Sequence, residues 1–173
     1  MAETPAVAAG QKIPRKFLAH FINTAAGSAT AAYVRLGKDL EEFTAEMSAN
    51  VEKKQNILGE TSVMVTSYEK SSSVEPHYAV VGDPLYARLQ DIIDNSKVLD
   101  DCNCDVVDVK LWEAPVSGAY PAIKWNAVIE VTSYGGDTTG YQIPFNLHYT
   151  GEKVAGFFNP TTKAFTETAP TGV

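Results

Sequence analysis

Cysteine, positive charge and long apolar runs are all scarce in this chain, and each shortage closes a class of function. Only Cys102 and Cys104 occur in 173 residues. Alternate residues of one extended segment rarely close a disulfide, which excludes a stapled, secreted scaffold. A zinc site needs a second Cys or His pair at ligand spacing, and His20, His77 and His148 stand far from the cysteines and from each other in sequence. The cysteines therefore read as two small half-buried thiols in a reducing compartment. No apolar run approaches the ~18 residues that carry a helix across a bilayer. The opening Met-Ala-Glu-Thr-Pro-Ala has neither the basic start nor the apolar core of a signal peptide. The expectation is a protein made and kept in a cytoplasm until assembly.

Lys and Arg number 14 against 21 Asp and Glu, a net charge of -7 with pI near 4.9. Domains that grip phosphates are usually basic, so this chain is a poor candidate to hold nucleic acid. It is a good candidate for a surface past which nucleic acid slides, because like charges repel. The acid is uneven: Asp91, Asp94, Asp100, Asp101, Asp105 and Asp108 share one stretch with a single base, Lys97. Hydrophobic residues at 45% and charged residues at 20% are ordinary for a globular protein and exclude a disordered, collagen-like or coiled-coil chain. The length suits one domain, which buries roughly 70% of its unfolded surface without staples.

The organisation expected is a flexible arm over 1–14, one β domain over 15–166 and a loose tail over 167–173. Period-2 alternation supplies the strands. Over 42–47 the apolar set is Phe43, Ala45 and Met47, with Glu42, Thr44 and Glu46 on the other face. Over 105–112 it is Val107, Val109 and Leu111; over 123–131 it is Ile123, Trp125, Ala127, Ile129 and Val131. Over 141–149 it is Tyr141, Ile143, Phe145, Leu147 and Tyr149, with Pro144 marking an edge or bulge. Weaker strands fall at 16–23, 31–36, 62–68 and 153–158. Clean alternation argues for antiparallel sheets with one wet face. Tyr149-Thr150-Gly151-Glu152 reads as a hairpin turn, and 48–61 as a long loop, which in a compact domain is usually functional or disordered. One helix is expected at about 84–96. Asp83 is its N-cap and Pro84 its first residue; Leu85, Leu89, Ile92 and Ile93 form its stripe, and Arg88, Gln90, Asp91 and Asp94 are exposed.

Chemistry is hard to find. There is no G-x-S-x-G elbow, no P-loop and no G-x-G-x-x-G. Gly135-Gly136-Asp137 reads as a turn before a phosphate or Ca²⁺ loop. Glu41 and Glu42, or Asp100 and Asp101 with Asp105 and Asp108, are the carboxylate groups open to acid–base or Ca²⁺ chemistry. They lack the frame of a known loop and read as solvated faces. Trp125, Tyr141 and Tyr149 fall on inward strand faces, where core packing or subunit contact explains them more cheaply than a sugar platform. His20 and His148 read as packed or surface residues. No catalytic, cofactor-binding or metal-binding residue is assigned, and the expectation is a protein that is not an enzyme. The arm and the long loop, without chemistry of their own, point to an assembly protein by elimination.

The order of segments carries a resemblance. KDLEEFTAEMSANVEKKQNILGETSVMVTSYEKSSSVEPHYAVV (38–81) is followed by GDPLYARLQDIID (82–94) and later by SYGGDTTGYQIPFNLHYTGEKVAGFF (133–158). This resembles the major tail tube proteins of tailed phages of Gram-positive hosts. There a strand, a long loop carrying N-x-L-G-E-T, a strand and an S-x-x-x-x-P-x-Y segment precede a D-P-L-Y helix, and a GGDTTG turn and a final hairpin follow. The similarity covers roughly residues 15 to 160, and the ordered set rather than any one motif carries it.

The resemblance implies a mainly β fold of two packed antiparallel sheets, sandwich-like or barrel-like, flanked by one helix. It also implies a structural virion protein: hexameric rings of the chain itself, stacked into a hollow tail tube that DNA traverses without specific binding. Partners would be a tape measure protein and tail terminator or baseplate proteins; no membrane and no cofactor is involved. Lumen-facing acids are expected at Glu42 and Glu46, with Thr44 between them. A ring–ring contact is expected at Asn56, Ile57, Leu58, Gly59, Glu60 and Thr61. Other readings stay open: a β-sandwich module that binds carbohydrate or a receptor, a single-ring terminator or baseplate hub of the same superfamily, and a small hydrolase using Glu or Asp pairs.

Overall fold

A computed structural model describes residues 4–27 and 29–168; Ser28, the first three residues of the arm and residues 169–173 of the tail lie outside the described residues. The strands are β1 (Leu18–Asn23), β2 (Tyr33–Leu36), β3 (Ala45–Gln55), β4 (Thr61–Val74), β5 (Asn103–Lys110), β6 (Tyr120–Val131), β7 (Gly135–Asp137), β8 (Gly140–Gln142), β9 (Phe145–Asn159) and β10 (Ala164–Thr166). The helix α1 (Pro84–Asp94) falls between β4 and β5, and short 3-10 turns occupy Arg15–Phe17 and Leu99–Cys102. The fold is mainly β and sandwich-like, with two antiparallel sheets and one α-helix. The large sheet runs β2-β1-β5-β6-β9-β4-β3, with β10 added to β9; β7 and β8 form the small one.

The centre of the large sheet departs from the expected single wet face. Val106 and Val107 are neighbours in β5 and must point to opposite faces, yet both are fully buried. Val106 joins Ile22, Ile129, Phe145 and Leu147 beneath Leu85, Leu89 and Ile92 of α1. Val107 joins Phe21, Val109 and Phe158 on the opposite side, where the Phe21 and Phe158 rings lie 4.5 Å apart. The alternating pattern marks strands correctly but counts only one of the two layers they carry.

Asp83 accepts a hydrogen bond from the Leu85 N–H at 3.0 Å and Pro84 opens the helix. The helix stops at Asp94, short of the expected 96. The Asn95 side chain turns back to Asp91, and Ser96 takes φ 47°. Arg88 corrects a second expectation. It lies three residues after Leu85, within the inner stripe, and is buried rather than exposed. Its guanidinium donates to the carbonyls of Asp101 and Asn103, tying α1 to the approach to β5.

Two turn signals are spent differently from their sequence reading. The 149–152 turn is absent: β9 continues through it without a break. Trp125 pairs with Lys153 and Ala127 with Tyr149, so Asn126 alone faces three residues, with Gly151 at φ 90°. Gly151 therefore makes a bulge, which bends a strand without ending it. The long loop expected at 48–61 is mostly strand. β3 and β4 pair from Ala45 and Ser72 to Gln55 and Thr61, and only 56–60 turn the chain.

Gly156 shows how tightly β10 is laid on β9. A Cβ there would fall 2.3 Å from the Thr166 carbonyl oxygen and 2.7 Å from the Phe165 ring. Gly156→Ala is therefore expected to push β10 off the sheet and destabilise the domain by about 1–3 kcal/mol, the range for overpacking. Urea unfolding, with hydrogen exchange at the β10 amides, would check it.

Candidate assembly surface

The β3–β4 hairpin is the feature that the rest of the fold does not use. Only Ser71–Val74 of β4 pair with the body, opposite Phe145–His148 of β9. Outward from that junction Lys70 is still buried; beyond it, from Glu69 on β4 and Glu46 on β3, both strands are exposed as far as the tip. Register assigns the faces. Met47, Ala49 and Val51 share one face with Tyr68, Val65 and Val63, the phase of β4 shifting at a bulge where Thr66 is left without a partner. Glu46, Ser48, Asn50 and Glu52 share the other with Ser71, Glu69, Ser67 and Met64. One face is thus apolar and open to water, with Met47, Val51, Val63, Val65 and Tyr68 each 50–59% exposed. The other is polar and acidic.

The tip is ordered by its own side chains. Asn56 Oδ1 accepts the N–H groups of Leu58 and Glu60, Asn56 Nδ2 donates to Glu60 Oε2 at 2.7 Å, and Gln55 Nε2 donates to the Gly59 carbonyl. Gly59 adopts φ 81°, which a glycine takes at no steric cost. This leaves Ile57 and Leu58 projecting, 102% and 78% exposed. Of the residues expected at a contact, Asn56 to Glu60 form the turn and Thr61 is the first residue of β4.

A clasp of charged residues fixes the root of the hairpin. Lys70 of β4 donates to Asp108 Oδ2 of β5 at 2.8 Å, and His20 of β1 meets Asp108 Oδ1 through Nδ1 at 2.7 Å. Arg15 Nη2 stands 3.1 Å from His20 Nε2. A guanidinium can only donate, so Nε2 accepts and the ring proton sits on Nδ1, facing the carboxylate. The Lys70 ammonium also lies 3.9 Å from the Trp125 ring centre and 4.2 Å from that of Tyr149, a cation–π cage. Burial works to raise the Asp108 pKa, but hydrogen bonds from His20 and Lys70, with the charge of the Lys70 ammonium, outweigh it and hold the carboxyl below its ordinary 3.8. The polar groups of the clasp are spent on one another, which makes it structural. Sequence reading treated His20 as a packed or surface residue and Asp108 as a solvated acid, and it missed Lys70. Period-2 spacing cannot show that side chains on β1, β4 and β5 converge.

Glu42, Thr44 and Glu46 do come together. They line a shallow depression with Ser71, Ser73 and His148, and Thr44 donates to Glu42. Beyond it His148 Nε2 lies 2.6 Å from Glu130, and this hydrogen bond, with one from Asn146, lowers the Glu130 pKa. The same wet face therefore carries Glu46, Glu69 and Glu130 across three strands. The cysteines are both buried, and burial pushes the Cys104 thiol up to about 12, which keeps it protonated. No group of His, Cys, Asp or Glu among the described residues is arranged to hold a metal ion. Nor is any described helix long and apolar enough to cross a membrane. No protein-family model and no curated protein matches the chain.

Asp108→Asn would leave the Lys70 ammonium buried without its counter-ion, at an expected cost of about 3–5 kcal/mol. The pH dependence follows from the direction of the shift. A carboxyl with a lowered folded pKa stabilises above its unfolded value near 3.9, and the gain is lost as pH falls through the folded value. The gap between native chain and variant in urea unfolding should thus be full at pH 7 and shrink steadily below about pH 4.

Proposed function

We propose that the chain is a non-enzymatic structural subunit that polymerises with itself into a hollow tube, in the manner of the tail tubes of tailed phages, with DNA as its cargo. The observation that carries this reading is the hairpin: an amphipathic two-stranded ribbon, anchored at its root and unpartnered along its apolar face. An isolated two-stranded hairpin is marginal in water. Here it presents a dry face and an ordered aliphatic tip, a surface suited to another copy.

The sheet edges support the same reading. β2 and β3 stand at opposite ends of the strand order, and β3 exposes its outer edge. Open edges invite pairing, and closing a ring of sheets removes them. Joined β3 to β2, neighbouring copies would form one continuous barrel. The wet face with Glu42, Glu46, Glu69 and Glu130 then suits the channel side, since a polyanion in transit is repelled by carboxylates and held by lysines. Rings, a ring–ring contact at the hairpin tip and a virion tail as the destination belong to this proposal. So do a tape measure partner within the channel and terminator or baseplate partners at its ends. A sugar-binding alternative draws little support, because Trp125 and Tyr149 are committed to Lys70.

Two experiments test the reading. In one, Asn50 and Ser67, which face each other in the register, are joined by a two-residue Asn-Gly turn in place of 51–66. The native chain should form hollow tubes at rising concentration in negative-stain micrographs. The shortened one should unfold cooperatively near the native temperature yet form none. In the other, Glu42→Lys with Glu46→Lys should assemble normally but retain short duplex DNA at low salt, releasing it as salt rises. Native tubes that bind duplex equally well would count against an acidic channel.

A further inference from the structure

The strongest unused surface is a trough at the opposite end of the molecule from the hairpin tip. The last turn of α1, the Leu99–Cys102 turn and the end of β6 frame it, over a floor of Ile92, Cys102, Ile129 and Val131. Its rim is apolar and wet: Val98, Leu99 and Tyr134 are 66%, 84% and 65% exposed. Leu99 sits at φ 56°, a conformation that L side chains rarely adopt, and its aliphatic side chain is held in water. Asp100 and Glu130 add carboxylates to the lining.

Register places trough and tip at opposite ends of the strands. Val131 pairs with Phe145 and Phe145 with Val74, so the trough lies where β4 finishes. The hairpin leaves in the other direction. From Ser71 to Thr61 it runs ten residues of strand, roughly 33 Å at the ordinary rise. A projecting aliphatic pair at one end and an apolar socket at the other form a heterologous contact, which repeats from copy to copy. Charge agrees in sign: Lys53 stands on the apolar face of the hairpin behind the tip, and of the charges lining the trough Lys97 is bound to Asp91, which leaves the Asp100 carboxylate to meet it.

We infer that the tip of one copy seats in this trough of the next, with Ile57 and Leu58 against Val98, Leu99 and Tyr134. The inference rests on the self-assembly proposed above and names the receiving surface. Ile57→Asp with Leu58→Asp removes the knob, and Leu99→Asp spoils the socket. Each variant is expected to keep the native circular dichroism and unfolding temperature, since these side chains lie in water. Each alone should fail to grow where the native chain grows. Mixed in equal amounts, they should form a species of twice the mass of either alone in sedimentation and stop there, because each pair retains one working contact. A mixture that stays at unit mass beside a growing native chain overturns the trough as the socket and leaves self-assembly standing. Leu99→Asp growing like the native chain does the same and assigns the trough to another occupant. A native chain that never grows overturns both.

Discussion

Lys70 and Asp108 belong to β4 and β5, which stand three strand steps apart across β9 and β6. In a flat sheet their backbones would lie roughly 14 Å apart, with both side chains perpendicular to the surface. Their contact at 2.8 Å therefore requires the sheet to curl. The curl brings the rings of Trp125 and Tyr149 around the ammonium and makes the concave face over which α1 lies. It also decides where the hairpin goes. β9 bends at its bulge around Gly151 after only four residues paired with β4, and β4 continues alone. The clasp holds the last shared turn of that path, so the orientation of the hairpin is set by a buried pair. Such a pair contributes less to net stability than its charges suggest, because both ions lose their water. Its clearer role is to fix geometry: removing either partner leaves a buried charge, whereas slipping the strand by one residue would put Lys70 on the wet face.

That fixed orientation gives the hairpin's two faces different surroundings. On the clasp side, the apolar ladder from Met47 to Val63 continues the inner face that carries Lys70, Ser72 and Val74. On the other side, Glu46, Glu69 and Ser71 continue into His148 and Glu130 across the sheet. The domain thus extends both its dry layer and its wet layer beyond its own core. A monomer satisfies the wet layer with solvent and leaves the dry one uncovered, and this asymmetry is the physical reason to look for a second copy.

Much of the fold is written locally and could be read. Val107 and Val109 of β5, Ile129 of β6 and Phe145 of β9 declare strands by period, and Asp83-Pro84 declares the start of α1 through a cap that involves neighbouring residues alone. What could not be read depends on partners distant in sequence. The hairpin was hidden because β3 ends in the polar run Glu-Lys-Lys-Gln, whose Glu and Lys are poor in β propensity, and because the bulge at Thr66 moves the apolar positions of β4 from odd to even numbers. A period-2 reading loses phase at that point. Gly151 failed as a turn signal for a related reason: a positive φ serves a bulge as well as a hairpin, and only the partner strand decides between them. Glu42, Thr44 and Glu46 were placed on one face by simple alternation, and they do share one depression. Which way that depression faces in an assembly is a property of several chains and has no local signature. The clasp lay beyond sequence reading altogether, since His20, Lys70 and Asp108 are separated by tens of residues.

Magnitudes decide what kind of assembly such a surface can drive. Fully burying an aliphatic side chain is worth about 1.5–3 kcal/mol. The five ladder residues are already about half covered, so sealing them adds on the order of 1 kcal/mol each. Ile57 and Leu58 start almost fully exposed and add about 3–6 kcal/mol together. Against this, association costs an estimated 4–15 kcal/mol in lost translation and rotation, before any side chain is ordered. One hairpin contact therefore comes close to balance and does not hold two copies together firmly at low concentration. A subunit that meets several neighbours at once incurs the rigid-body cost once and collects the contacts of every neighbour. Under the proposed self-assembly, such a chain would stay monomeric in dilute solution and polymerise steeply once a ring or an initiating surface offered more than one contact. In the self-assembly proposed above, marginal pairwise strength would let a tube grow from a defined start without condensing elsewhere.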